Sequence, residues 1–279
     1  MASNLPKFFH LHLISDATGE TLSAVAKAAI VQYSQIRSIE HVHSLVRTKR
    51  QLDRVLQEIE SAPGIVLYTI VNNELAQALE ECCQSLQVPC VPVLATIMRV
   101  FESYLGAPST PTVGGQHVLD AEYFRRIDAL NFTMAHDDGR LPKDLNDADI
   151  VIVGISRTSK TPTSIYLAQR GFKTTNVPLI PDIPVPPQLE QAKEAFVVGV
   201  VASADRISQV RRNRVLALAD RDLSDYVDRD LIEEEIAFTR KLCSRNGWPV
   251  IDVTRRSVEE TAAAILKQYH DRSAMAADG

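Results

Sequence analysis

Gly154, Lys160 and Thr161 stand at the spacing of the phosphate-binding pattern G-x-x-x-x-G-K-[ST], with Ser159 where the second glycine belongs. A loop of this kind points several backbone N–H groups at a phosphate, and its lysine adds a point charge on the outer oxygens. Ile155, Ser156, Arg157 and Thr158 fill the span, so the whole run 154–161 is the expected phosphate cradle. Lys160 is expected on the terminal phosphate of a nucleotide, with Thr161 or Ser159 offering a hydroxyl to Mg²⁺. Arg157 can add a second, bidentate phosphate contact. The local context fits: an apolar strand Ile150–Gly154 comes before, and Pro162 suits the first turn of the helix that follows. The plain alternative is a polar loop with one exposed lysine.

The second candidate stretch is His136-Asp137-Asp138-Gly139. Two adjacent carboxylates and an imidazole can take a proton from a hydroxyl nucleophile or bind Mg²⁺. His136, Asp137, Asp138 and Lys160 are therefore the expected catalytic set, with Asp138 and Thr161 as the expected Mg²⁺ ligands. Asp-Asp-Gly is also the composition of an ordinary helix-terminating turn. A third stretch, Ser15-Asp16-Ala17-Thr18-Gly19-Glu20-Thr21, follows a strand and opens a helix from about Glu20 to Tyr33. Hydroxyls there can meet an anion at the helix N-terminus or simply cap it. A basic cluster, Arg211, Arg212 and Arg214, can hold an acidic surface or a phosphate, although a solvated helix face is the default. His10, His12, His41 and His43 alternate as residues on a strand face do.

The elements that position these residues alternate. Strands are read at Phe8–Ile14, Ile65–Val71, Ile150–Gly154, Phe196–Ala202 and, more weakly, Pro249–Val253. Their apolar runs are continuous, as strands covered on both faces require. Thr48-x-x-Gln51 reads as a capping box, and Ser257-x-x-Glu260 as another opening the last helix. Leu119, Tyr123, Ile127, Leu130 and Met134 form an apolar helical stripe. The expected class is α/β, with largely parallel sheets flanked by helices. The Pro- and Gly-containing stretch 106–117 marks a boundary between an N-terminal α/β domain, 1–110, and a C-terminal phosphate-loop domain, 111–279. Pro178 to Pro187 holds five prolines and reads as extended loop. Both domains open with strand, glycine-containing loop and helix.

The 279 residues carry a net charge of −5, which argues against bulk nucleic-acid binding. No apolar run approaches the roughly 20 residues of a membrane span. Only seven residues precede the first apolar run, and the four cysteines, with Cys82 and Cys83 adjacent, read as reduced thiols. A cytoplasmic protein without a signal peptide is expected. The oligomeric state is open, with a homodimer as one possibility.

Taken together, the motifs at 15–21, 123–139, 154–164, 176–179 and 251–261 resemble the pyruvate, phosphate dikinase regulatory proteins, in order and over nearly the whole chain. The resemblance implies a bifunctional enzyme. ADP would donate a phosphoryl group to a threonine of the dikinase, and inorganic phosphate would later remove it as pyrophosphate. A sister branch acts on phosphoenolpyruvate synthase and often carries glycine before the loop lysine, so Ser159 favours the dikinase branch. On this resemblance the Ser159 side chain is expected to narrow the cradle around a diphosphate. Rival readings are a phosphate-loop kinase for a small metabolite using ATP, and a non-catalytic nucleotide sensor.

Overall fold

Apolar runs flanked by helix signals build two four-stranded sheets, each parallel throughout. The structure is a computed structural model that describes residues 8–110, 112–115, 121–143, 145–181, 183–218 and 224–277. The chain divides into two compact units, Met1–Val118 and Leu119–Gly279.

In the first unit the elements are β1 (Phe8–Ser15), α1 (Glu20–Ile30), β2 (Arg37–His43), α2 (Lys49–Ser61), β3 (Gly64–Thr69), α3 (Asn73–Ser85), β4 (Cys90–Pro92) and α4 (Val93–Leu105). The sheet order is β2-β1-β3-β4. Ile14, Val66 and Tyr68 pack on Leu52, Ile59 and Leu79 of α2 and α3, whereas Leu11 and Leu13 pack on Leu22 and Ala26 of α1. The expected capping box opens α2: Thr48 accepts from the Gln51 N–H and Gln51 reaches back to the Thr48 N–H. β2 is a strand that apolar runs alone do not reveal, because most of its residues are exposed. The alternating histidines do mark it. His10 and His12 on β1 lie beside His41 and His43 on β2, with ring nitrogens of His10 and His41 2.9 Å apart.

In the second unit the elements are α5 (Ala121–Ala135), a short 3₁₀ turn (Leu145–Asp147), β5 (Ile150–Gly154), α6 (Lys160–Ala168), β6 (Thr174–Pro178), α7 (Pro187–Gln191), β7 (Phe196–Val201), α8 (Ala204–Leu218), α9 (Ser224–Val227), α10 (Arg229–Asn246), β8 (Val250–Asp252) and α11 (Val258–Ala277). The order β6-β5-β7-β8 repeats the winding of the first sheet. In both, the first strand is central, and the chain runs first to one side of it and then to the other. The carboxyl end of that strand, beside the third, is the switch point where open α/β sheets bind ligands. The echo in the sequence is thus a shared topology.

The apolar stripe read on α5 needs correction. Leu119 lies outside the described residues, Ile127 is 39% exposed and Met134 is 70% exposed. The buried face is narrower and centres on Ala129 and Thr133, with Phe132 half-buried. Thr133 earns its burial by accepting a 3.0 Å bond from the Thr174 N–H of β6. Among the proline-rich residues, Pro178 closes β6 and Pro187 opens α7.

Candidate active site

The 154–161 loop leaves β5 at the switch point between β5 and β7. Gly154 is required there: a Cβ would sit 2.5 Å from the Val200 carbonyl oxygen of the neighbouring strand. The loop then takes two left-handed residues, Arg157 with φ 74° and Ser159 with φ 59°. Glycine adopts that region freely, but other residues pay about 1–2 kcal/mol each. This is the conformational reason for glycine at the second position of the pattern. Ser159 holds it without compensation, since its exposed side chain makes no cap hydrogen bond to α6. Thr158 closes the turn by donating to the Ile155 carbonyl at 2.9 Å.

Lys160 is buried, and its Nζ donates to the same Ile155 carbonyl at 2.9 Å. Burial pushes its pKa down to about 8, with Asp138 opposing that shift and the Arg157 charge adding to it. An ammonium so placed has lost most of its water and gained one neutral acceptor, so an entering phosphate is its natural counter-charge.

The carboxylates reach this loop through β6. The turn after α5 is held by Gly139 N–H donating to the Asn176 carbonyl at 3.0 Å and by Thr175 Oγ1 donating to the His136 carbonyl at 2.6 Å. Asp138 (φ 52°) and Gly139 (φ 84°) make the sharp reversal. Asp137 consequently accepts from Thr161 Oγ1 at 2.9 Å and from the fully buried Asn176 amide. It is Asp137, then, that meets the Thr161 hydroxyl, in the place where sequence reading put Asp138. Asp138 is exposed and acts on Lys160 through its charge. His136 donates from Nδ1 to the Phe132 carbonyl at 2.9 Å and lies against the Phe132 ring, which ties its imidazole to the end of α5.

Arg211, read above as part of a basic face, is 1% exposed. It forms a two-armed ion pair with Glu235, at 3.0 and 2.6 Å. It also donates to the carbonyls of Ser156 and Tyr226. Arg212 is exposed, and the Arg214 side chain lies outside the described residues. The sequence reading named no site role for Asn176, Tyr226 or Glu235. Asn176 had a signal, since it opens the 176–179 motif of the family resemblance. The other two had none, because their role depends on helices that pack from 55 to 80 residues away. Two acids near strand ends of the second sheet form ion pairs: Asp205 with Arg229 at 3.4 Å, and Asp252 with Arg240 at 3.6 Å.

The first unit has its own crevice at the equivalent switch point. A cavity of about 250 Å³ is lined by Ser15, Asp16, Gly19, Thr21 and Thr69 among others. Ser15 Oγ accepts from Ala17 N–H and Thr69 Oγ1, and Asp16 accepts from Val71 N–H at 2.8 Å. The residue at the N-cap of α1 is Gly19, with φ 82°, so no side chain caps the helix from that position. Cys82, Cys83, Cys90 and Cys243 are free thiols. Among the described residues, no helix is long and apolar enough to cross a membrane, and no group of three or more His, Cys, Asp or Glu side chains is placed to hold a metal.

The 154–161 loop thus lies at a sheet switch point with a carboxylate hydrogen-bonded to its last threonine. Residues 11–266 match the kinase/pyrophosphorylase family, and the chain belongs to it. Its relatives include a protein of Chelativorans sp. (strain BNC1) whose assigned name is pyruvate, phosphate dikinase regulatory protein. That protein is 62% identical over 93% of this chain and 95% of its own length. Proteins with the same assigned name in Bradyrhizobium diazoefficiens and Brucella anthropi are 57% and 58% identical, over 95% and 93% of this chain and 95% and 94% of their own.

Proposed function

We propose that this protein regulates pyruvate, phosphate dikinase by moving a phosphoryl group on and off a threonine of that enzyme. ADP is the donor in one direction and inorganic phosphate the acceptor in the other. The observation that carries this reading is the Thr161–Asp137 bond, which sets a carboxylate against the 154–161 loop. The names of the relatives supply the target.

In the forward direction the 154–161 loop holds the β-phosphoryl group of ADP. Lys160 exchanges the Ile155 carbonyl for a phosphate oxygen. The threonine oxygen attacks the β-phosphorus, the bond to the α-phosphate oxygen breaks, and AMP leaves. Asp138, exposed beside Lys160, takes the hydroxyl proton. In the reverse direction an oxygen of inorganic phosphate attacks the phosphothreonine phosphorus. The threonine oxygen leaves with the proton returned by Asp138, and pyrophosphate forms. One anion cradle serves both directions, which suits a reaction governed by positioning and charge neutralisation.

The oxygen donors of Thr161 and Asp137 fit Mg²⁺, which binds through one or two carboxylates together with substrate phosphates. Once bound, Mg²⁺ would neutralise charge on the transferred group. Thr161 and Asp137 would hold it, and Asn176 keeps Asp137 turned toward Thr161.

The test is incubation with purified dikinase and ADP or ATP, with phosphothreonine read by mass spectrometry, then addition of phosphate and assay of pyrophosphate. ADP-dependent modification, phosphate-dependent reversal and loss of both in Lys160→Met are expected. ATP-only activity would favour a conventional kinase, and nucleotide binding without phosphothreonine would favour a sensor. Modification of phosphoenolpyruvate synthase in place of the dikinase would reassign the target.

A further inference from the structure

The 154–161 loop is also gripped by Tyr226 and Arg211, which hydrogen-bond to Ser156 and Arg157. Tyr226 Oη lies 3.0 Å from Ser156 Oγ and 3.3 Å from Arg157 Nε. An Arg N–H can only donate, so Tyr226 accepts from Arg157, while in the contact with Ser156 either hydroxyl can be the donor. Arg157 uses only Nε in this contact. The Nη1 and Nη2 donors of Arg157 take no part in this contact, and such a pair can match two phosphate oxygens.

Tyr226 is itself held in place. The Arg211 guanidinium stacks on its ring, with Cζ 4.5 Å from the centroid. Nη1 of Arg211 donates to the Tyr226 carbonyl at 3.1 Å, and Nη2 to the Ser156 carbonyl at 3.3 Å. One buried cation thus fixes the backbone on both sides of the hydroxyl contact. Glu235 supplies its counter-charge from α10. Ser208 adds a second tie by donating to the Val227 carbonyl at 2.8 Å. A prop serving the fold alone needs no polar group on the Arg157 side chain, yet that is where the Tyr226 hydroxyl ends.

We infer that Tyr226 is a positioning residue for phosphate binding, which aims the Arg157 guanidinium at the bound anion, and that the Arg211–Glu235 pair holds Tyr226 for that task. The inference rests on the phosphate-loop reading above. It explains how a bulky residue persists at φ 74° in the loop: its side chain is tethered at Nε while its charged end serves the ligand.

A double-mutant cycle on the full chain tests it, with Tyr226→Phe, Arg157→Gln and the double variant. Calorimetric affinity for ADP and for inorganic phosphate is measured alongside KM and kcat on the dikinase. Tyr226→Phe keeps the ring and the stacking. It should weaken both ligands about tenfold and raise KM more than it lowers kcat. Arg157→Gln should weaken them at least as much, and the double variant no further. Additive losses, or unchanged affinity in Tyr226→Phe, overturn the inference. Arg211→Lys, which keeps the charge but loses the two-carbonyl grip, should resemble Tyr226→Phe. If that variant misfolds, the Tyr226–Arg157 cycle still decides. Absence of ADP and phosphate binding by the unsubstituted protein overturns the phosphate-loop reading and this inference with it. Normal binding with an additive cycle overturns the inference alone.

Discussion

The hydroxyl of Thr161 donates a 2.9 Å hydrogen bond to Asp137, joining the first turn of α6 to the turn that ends α5. Asp138, the next residue, is exposed and acts on Lys160 through its charge. Two neighbouring acids of the same type therefore have different surroundings, and substitutions should separate them. Asp138→Asn should lower kcat in both directions by about 10²–10⁴, the usual worth of general acid–base catalysis. Asp137→Asn should instead shift the Mg²⁺ concentration needed for half-maximal rate upward. A Mg²⁺ titration of the two variants checks this, and equal titration curves would contradict the assignment.

Activity should depend on pH through Lys160. Its pKa in the unliganded protein is about 8, so it is charged below that pH and loses its proton above it. Bound phosphate favours the charged form and raises the value in the complex. The kcat/KM for ADP should therefore fall tenfold per unit above about pH 8, while kcat at saturating ADP persists to higher pH. In Lys160→Arg, which stays charged throughout, any remaining activity should lose this alkaline limb.

Ser159 holds a left-handed conformation with no side-chain cap hydrogen bond in return. Ser159→Gly removes the steric cost but adds chain entropy in the unfolded state, so a net gain of about 1 kcal/mol or less is expected. Thermal melting checks the stability. The same variant tests whether the serine narrows the cradle: an unchanged preference for ADP over ATP would dismiss that idea.

The histidine ladder of the first unit should make it sensitive to acid. Burial lowers the pKa of both His12 and His43 below the ordinary 6.5. The unfolded chain then binds more protons than the folded one as pH drops below about 6.5, so stability is lost in that direction. The slope should not exceed about 1.4 kcal/mol per pH unit for each histidine. His43→Gln should flatten it, as followed by denaturant melts between pH 7 and 5. A pH-independent midpoint would show that these rings do not titrate on unfolding.

The central strands and the strand–turn–helix around 154–161 could be read from the chain because their signals are local. A continuous apolar run such as Ile150–Val153 needs cover on both faces wherever it is placed. Thr48-x-x-Gln51 and Ser257-x-x-Glu260 close within one helical turn, and both boxes are present. The polar strand Thr174–Pro178 was not visible, because its burial is satisfied by partners elsewhere: Thr133 for the Thr174 N–H, and Asp137 for the Asn176 amide. Arg211 misled for the opposite reason. Arginines on a helix are usually solvated, and only Glu235 on a later helix makes this one affordable inside. The α5 stripe failed because helical spacing shows that a face exists without showing which part of it the fold covers.

The identical winding of the two sheets has a consequence for how the chain folds as it is made. Each sheet starts from its central strand, and every strand pair forms within its own unit. The last strand of the first sheet ends at Pro92. All backbone pairing of that sheet can therefore be complete before Leu119 leaves the ribosome. Synthesis at about 5–20 residues per second leaves seconds in which the first unit can settle before the 154–161 loop exists.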